Sequence, residues 1–422
     1  MAGRWRAVAG HGPGQPRAGV RSPTPRGPAE TAACGPAAEH TGRRPAARRG
    51  ATARTTARNG VLVKETTHRH EQRPRHAVGD AAVRTGERPP APRPIGEHRR
   101  HWPRSFADRL TAPLPGVVQY ARFVRDGAVR PGRDGLRDIP RLPFAPAPLP
   151  PTGAGDLSVT WAGHASWIVR IAGLTILTDP VWSRRILATP ARVTPVGVRW
   201  EDLPPIDAVV ISHNHYDHLD TPTLRRLPRH TPLFVPAGLG RWCRRRRFAR
   251  VTELDWWEGA ELRGAGGRTV RFDFVPAHHW SKRSLTDTCR SLWGGWVISD
   301  SDGARVHFAG DSGYGDWFAQ IGRRHPGIDV ALLPIGAYEP RWWLRAEHMD
   351  PEEAVQACQD LGAARMAPMH WATFVLSSEP VLEPLTRVRA AWERTGRPRD
   401  ELWDLPIGAS RVLTVRPTAR AA

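Results

Sequence analysis

The chain has 422 residues, 62 Lys+Arg against 41 Asp+Glu, 42 Pro, 40 Gly and four Cys, enough for one large domain with an extension or for two or three smaller ones. Its first hundred residues carry 20 of the basic and 7 of the acidic side chains but only one of the 32 aromatics, Trp5, so most of the +21 net charge sits there and argues weakly for a nucleic-acid partner. There is no run of about 18 apolar residues to span a membrane, no apolar stretch behind the amino-terminal arginines to make a secretory signal, and Cys34, Cys243, Cys289 and Cys358 are too scattered for a disulfide scaffold or a cysteine zinc knuckle. The expectation is a soluble cytoplasmic protein.

Residues 1–101 read as a disordered, basic Arg/Pro/Ala/Gly-rich extension, because so few large apolar side chains cannot offset the backbone entropy of folding. Over 102–155 aromatics return at Phe106, Tyr120, Phe123 and Phe144. The proline-dense stretch 140–151 predicts an extended strap packed on the core. A folded domain is expected over 156–422. Strands are predicted at 157–161, 167–171, 174–178, 207–212, 269–275, 293–299, 304–309 and 328–333. Asp350 and Glu353 form a capping box opening a helix over 351–361, closed by Gly362. Further helices are expected at 221–227, 239–247 and 379–395. This alternation fits two sheets covered by helices, a four-layer α/β arrangement.

The strongest chemical signal is Ser212-His213-Asn214-His215-Tyr216-Asp217-His218. Three imidazoles and a carboxylate occupy six positions directly after a buried strand, and a loop leaving a strand end can turn all four inward. Imidazole nitrogen and carboxylate oxygen are zinc donors. His213 and His215 could serve one ion, and Asp217 and His218 a second beside it. Other strand ends supply His278-His279, Asp311 within Ala309-Gly310-Asp311-Ser312-Gly313, and His370.

These motifs resemble the metallo-β-lactamase superfamily and, within it, the N-acylphosphatidylethanolamine-hydrolysing phospholipase D family. The matching stretches are 161–165, 177–180, 212–220, 276–280, 285–288, 291–296, 333–342 and 370–374. The resemblance implies a metallo-β-lactamase-like αββα sandwich over 156–422 holding two Zn2+ ions. His213, His215 and His279 would hold one, Asp217, His218 and His370 the other, with Asp311 bridging them and orienting the nucleophile. Asp179 and His348 match residues implicated in activity in that family, Asp179 as the carboxylate that fixes an imidazole tautomer. Ser312 stands where the family more often has Thr. A Glu in place of His215 would point to a di-iron centre; the histidine-rich set favours zinc, with manganese and iron as alternatives.

The implied activity is a phospholipase D-type phosphodiesterase. Metal-bound hydroxide would attack phosphorus in an N-acylphosphatidylethanolamine-like lipid, releasing a phosphatidic acid and an N-acylethanolamine. A lactonase or small-molecule phosphodiesterase of the same fold is the alternative. A nucleic-acid-binding protein or nuclease is a third reading, disfavoured by the location of the excess charge. Residues 241–248 (Arg-Trp-Cys-Arg-Arg-Arg-Arg-Phe) and 341–345 (Arg-Trp-Trp-Leu-Arg) mix arginine with aromatics and suggest peripheral membrane contact. Trp280, Trp293, Trp296, Tyr338, Trp342 and Trp343 are expected along one rim as an apolar wall for an acyl chain, although Trp293 and Trp296, alternating on a strand, read first as core. No specific nucleic-acid partner is expected, and the sequence is compatible with a homo-oligomer.

Overall fold

The computed structural model describes residues 102–414 except 115, 129, 154, 188, 265 and 266; the disordered extension expected over 1–101 lies outside the described residues. The first sheet begins as an antiparallel meander of β1 (Asp156–Gly163), β2 (Ser166–Ile171) and β3 (Leu174–Thr178). It continues through parallel β4 (Ala208–Val210), β5 (Leu233–Pro236) and β6 (Val251–Leu254). The second sheet repeats the plan: antiparallel β7 (Gly259–Arg263), β8 (Thr269–Val275), β9 (Gly295–Asp300) and β10 (Arg305–Phe308), then parallel β11 (Val330–Pro334) and β12 (Met366–Met369). A last strand, β13 (Ser410–Thr414), returns to pair with β1. Parallel neighbours require crossovers. Helices lie in four of them, 221–226 and 240–245 in the first half and 317–324 and 351–360 in the second, while among the described residues the β3–β4 connection has only the 3-10 turn Trp200–Asp202.

The sheets pack face to face through large apolar side chains. Phe234 of β5 stacks on Phe272 of β8 at 4.1 Å, and Trp161, Trp167 and Trp371 stack in a row at 5.7–5.9 Å. β4, reading Ala-Val-Val, is buried at every position, as a strand covered on both faces must be. Trp293 and Trp296 are core, donating their indole N–H to the carbonyls of Ala277 and Ile211. Tyr338 is also buried, its hydroxyl donating to Glu383. The expected six-ring wall is therefore reduced to Trp280, Trp342 and Trp343.

Within 102–155 the structure is more helical than a strap. A helix spans Val117–Arg125 and a short one Arg133–Leu136. Beyond Arg141 the chain runs extended, bridged by Phe144 to Ile407. The helix expected from 379 begins at Glu383, because the Glu379 carboxylate instead accepts from the amides of Ala337 and Glu339. Among the described residues no helix is long and apolar enough to cross a membrane.

Away from the strand ends, His307 on β10 and His325 after helix 317–324 are both buried. Burial pushes each imidazole down to about 3. In the unfolded chain both would titrate near 6.5. As pH falls from about 6.5 toward 3 the unfolded state therefore binds protons that the native state refuses, and stability drops by about 1.4 kcal/mol per pH unit for each histidine. Urea unfolding of His307→Gln should show a shallower decline across this window than the wild type. Equal slopes would contradict the assignment.

Candidate metal centre

Each candidate side chain stands where the chain leaves a strand. Asp179 follows β3, residues 213–218 follow β4, His279 follows β8, Asp311 follows β10 and His370 follows β12. Apolar strands carry the chain to the sheet end, and the first residues free of the ladder are the polar ones. Asp179, His213, His218, His279, Asp311 and His370 are buried, and His215 and Asp217 are partly so.

Hydrogen bonds fix which ring nitrogen faces inward. The Ser212 hydroxyl donates to Asp179 Oδ2, so it accepts from His213 Nδ1–H at 2.9 Å and leaves the His213 Nε2 lone pair free. That Nε2 is buried with no hydrogen-bond partner among the described residues. His218 Nδ1–H donates to Asp179 at 2.7 Å. His279 Nδ1–H donates to the Glu347 carbonyl at 3.1 Å, which turns its Nε2 toward His215 Nδ1, 3.3 Å away. Asp179 thus holds one imidazole directly and a second through Ser212, the arrangement that sets tautomer and ring orientation in histidine metal sites.

Two groups of donors result. The ligand atoms of His213, His215 and His279 lie within 4.8 Å of one another, as do those of His164, Asp217, His218 and His370. The Asp311 carboxylate stands between them. Its Oδ2 is 3.0 Å from His218 Nε2 and 3.9 Å from the Nε2 atoms of both His213 and His279, while Oδ1 is 3.1 Å from His370 Nε2. His348 joins across the top, its ring 5.2 Å from that of His279 and 5.6 Å from that of His370. His278 points away, to the Thr111 hydroxyl.

Burial disfavours charge throughout. It holds His213 and His279 well below 6.5, His164 at about 3, and His215 and His348 at about 4. At two positions the carboxylates outweigh burial: Asp311 and Asp217 raise His218 well above 6.5 and His370 to about 9. Against their own burial, Asp311 is held far down by His218 and His370, and Asp217 by His218 and His164. Two buried carboxylates thus face two imidazoles whose protons supply the balancing positive charge, where divalent cations would displace those protons. The free Nε2 of His213 and the close approach of His279 Nε2 to His215 Nδ1, where a metal would replace the hydrogen bond, complete the fit to two metal ions.

The backbone is bent to make this possible. His164, Asp179 and His370 all have positive φ, at 55°, 33° and 64°, a conformation costing on the order of 1 kcal/mol or more for a non-glycine residue. Gly310 (φ 63°) lets the turn before Asp311 touch Ser212, since a Cβ there would lie 2.5 Å from the Ser212 Cβ.

Three neighbours were not singled out by sequence reasoning. His164, in the β1–β2 turn, has Nε2 3.0 Å from Asp217 Oδ2 and its ring 4.0 Å from that of His370. Its signal in the sequence is the Ala162-Gly163-His164 break between two strand patterns. Glu347 accepts from the Trp280 indole at 2.8 Å, and burial pushes its carboxyl up to about 7. Arg283 donates to the carbonyls of Asn214 and His215 and lies 4.0 Å over the Tyr216 ring, clamping the histidine loop from outside. Nothing in the spacing of Glu347 or Arg283 marks them.

An αββα sandwich with a two-cluster histidine/aspartate centre at its strand ends defines a metallo-β-lactamase-type hydrolase fold. A beta-lactamase superfamily domain matches residues 175–371. The chain is 37% identical over 247 residues to an N-acyl-phosphatidylethanolamine-hydrolyzing phospholipase D of Caenorhabditis elegans, covering 55% of this chain and 69% of that protein. It is 41% identical over 286 residues to an uncharacterized protein of Mycobacterium tuberculosis, covering 64% and 73%. It is 30% identical over 236 residues to a metal-dependent hydrolase of Nitratidesulfovibrio vulgaris, covering 54% and 83%. The chain belongs to the metallo-β-lactamase superfamily and, within it, to the N-acylphosphatidylethanolamine-hydrolysing phospholipase D family.

Proposed function

We propose that this protein is a binuclear zinc phosphodiesterase of the phospholipase D type, acting on N-acylphosphatidylethanolamine-like phospholipids. The observation that carries the reading is the Asp311 carboxylate, within 3.0–3.9 Å of nitrogens in both donor groups, as a bridging ligand must be. His213, His215 and His279 would hold one ion, and Asp217, His218 and His370 the other. A donor set of nitrogen and oxygen without thiolate suits zinc. Such ions, once bound, make a water nucleophilic near neutral pH and draw charge from phosphoryl oxygens.

The remaining groups serve that centre. Asp179, Ser212 and the Glu347 carbonyl lock the rings of His218, His213 and His279. His348, neutral because it is buried, sits over both donor groups and can hydrogen-bond to a phosphoryl oxygen or to the departing alcohol. Trp280 packs edge-on against His215 at 5.0 Å and supplies the apolar contact beside the cations that a phosphate ester of a long-chain amide needs. In the reaction, water oxygen joins phosphorus and the phosphorus–oxygen bond to the N-acylethanolamine breaks.

A lactone or small phosphodiester substrate is the second reading, favoured by the burial of Trp293, Trp296 and Tyr338 in the core, which leaves less apolar surface at the rim. Hydrolysis of an N-acylphosphatidylethanolamine in ¹⁸O-water separates the two. Label in the phosphate of a phosphatidic acid is the expected result. Label only in a fatty acid, or turnover of lactones alone, would establish the second.

A further inference from the structure

Helix Val117–Arg125 carries Val117, Tyr120, Ala121 and Val124 at i, i+3, i+4 and i+7, the stripe that a surface helix ordinarily turns to the core. Here the stripe faces outward. Val117 is 84% exposed, Tyr120 59% and Val124 51%, and Ala121 is exposed as well. Contact with the domain is made by Phe123, stacked on Trp343 at 5.0 Å, and by one edge of the stripe, where the Tyr120 ring lies 6.3 Å from the same indole. Exposed apolar residues scattered singly need no explanation, but a contiguous stripe marks a binding surface. Beside the helix Trp342 is 43% exposed, with the Arg122 guanidinium 4.3 Å over its ring.

Cations surround this apolar surface. Arg122 and Arg125 lie on the helix, partly balanced by Asp126. Arg345, with a side chain 76% exposed and 3.6 Å from Glu353, lies on the Trp342 side. A groove of about 600 Å³, lined among others by Gln119, Tyr314, Arg341, Trp342, Trp343 and Glu347, begins beside the helix. Glu347 is the residue whose carbonyl holds His279, so the groove and the metal centre share a wall.

We propose that helix Val117–Arg125 and Trp342 form a docking surface for an anionic lipid bilayer, the apolar stripe entering between headgroups and the arginines meeting their phosphates. Charge complementarity selects this partner: a second copy would set arginine against arginine, whereas anionic headgroups attract each of them. The proposal rests on the phospholipid reading above for its purpose, since a substrate held in a bilayer must be reached from its surface. It departs from the arginine-rich stretch at 241–248, where Cys243 and Phe248 are buried and Trp242 lies beneath the Arg246 guanidinium.

Sedimentation of the full chain with phosphatidylcholine vesicles, with and without phosphatidylglycerol, tests the surface. Wild-type protein is expected to co-sediment with the anionic vesicles. Val117→Asp/Val124→Asp, altering two exposed positions, should reduce binding about tenfold or more, with hydrolysis of soluble bis(4-nitrophenyl) phosphate unchanged. Absence of vesicle binding by the wild type, or equal binding by the variant, would overturn the proposal. So would loss of an oligomer in the variant without lipid, which would assign the stripe to a second copy. Vesicle binding by a wild-type protein that cleaves no phosphodiester would overturn the phosphodiesterase reading and leave the docking surface standing.

Discussion

Asp311→Asn should abolish nearly all turnover, with a loss on the order of a thousandfold, or about 4 kcal/mol of transition-state stabilisation. The substitution keeps volume and shape, so the buried turn at Gly310 survives. What it removes is the negative charge shared by both donor groups. Asn offers one carbonyl oxygen where the carboxylate reaches His218, His213 and His279 through Oδ2 and His370 through Oδ1. Circular dichroism should report an intact fold while metal analysis reports reduced loading. Activity within a few-fold of wild type would remove Asp311 from the centre of the account.

His164→Ala should weaken metal binding in the Asp217, His218 and His370 group by about 10- to 100-fold, the usual effect of removing a partner that orients a ligand. The reason is local. His164 is neutral at physiological pH because burial holds it at about 3, so its Nε2–H can only donate, and the Asp217 carboxylate accepts it. Its backbone is tied down as well: its amide donates to the Thr373 hydroxyl, and its carbonyl accepts from the Trp161 indole and the His370 amide. The β1–β2 turn, the histidine loop and the end of β12 therefore meet at one residue. His164→Asn, which retains an N–H donor, should recover part of the affinity. A competitive chelator titration reads both effects; equal affinities for wild type and His164→Ala would contradict this role.

The fold class was legible because the strands around the centre are apolar on both faces and end in polar clusters, as at Ala208–Val210 followed by His213. β5, β6, β7 and β13 were not read: Pro236 ends β5, and Glu253, Glu261 and Arg411 interrupt the other three, breaking the apolar run that marks the equally short β3 and β4. Helix Val117–Arg125 escaped for the opposite reason. Its apolar residues recur at helical spacing, but the proline-dense stretch that follows it makes the whole of 102–155 read as an extended strap. In the centre, residues that bear metal-binding side chains at strand ends announced themselves. Residues that act through a peptide carbonyl, as Glu347 does toward His279, or through a guanidinium brought from a distant loop, as Arg283 does toward His215, leave no mark in spacing. Tertiary packing alone brings them there. Tyr338 shows the converse: it has the right chemistry for a substrate wall, yet the interior claims it, as it claims Trp293 and Trp296, whose alternation on a strand already marked them as core.

The central claim is a centre for two metal ions bridged by Asp311, and metal stoichiometry of the purified full-length protein tests it most directly. Elemental analysis after saturation with zinc and removal of loose metal should find two ions per chain. His213→Ala and His370→Ala should each retain one, lost from different donor groups. One ion per saturated wild-type chain would contradict the binuclear site.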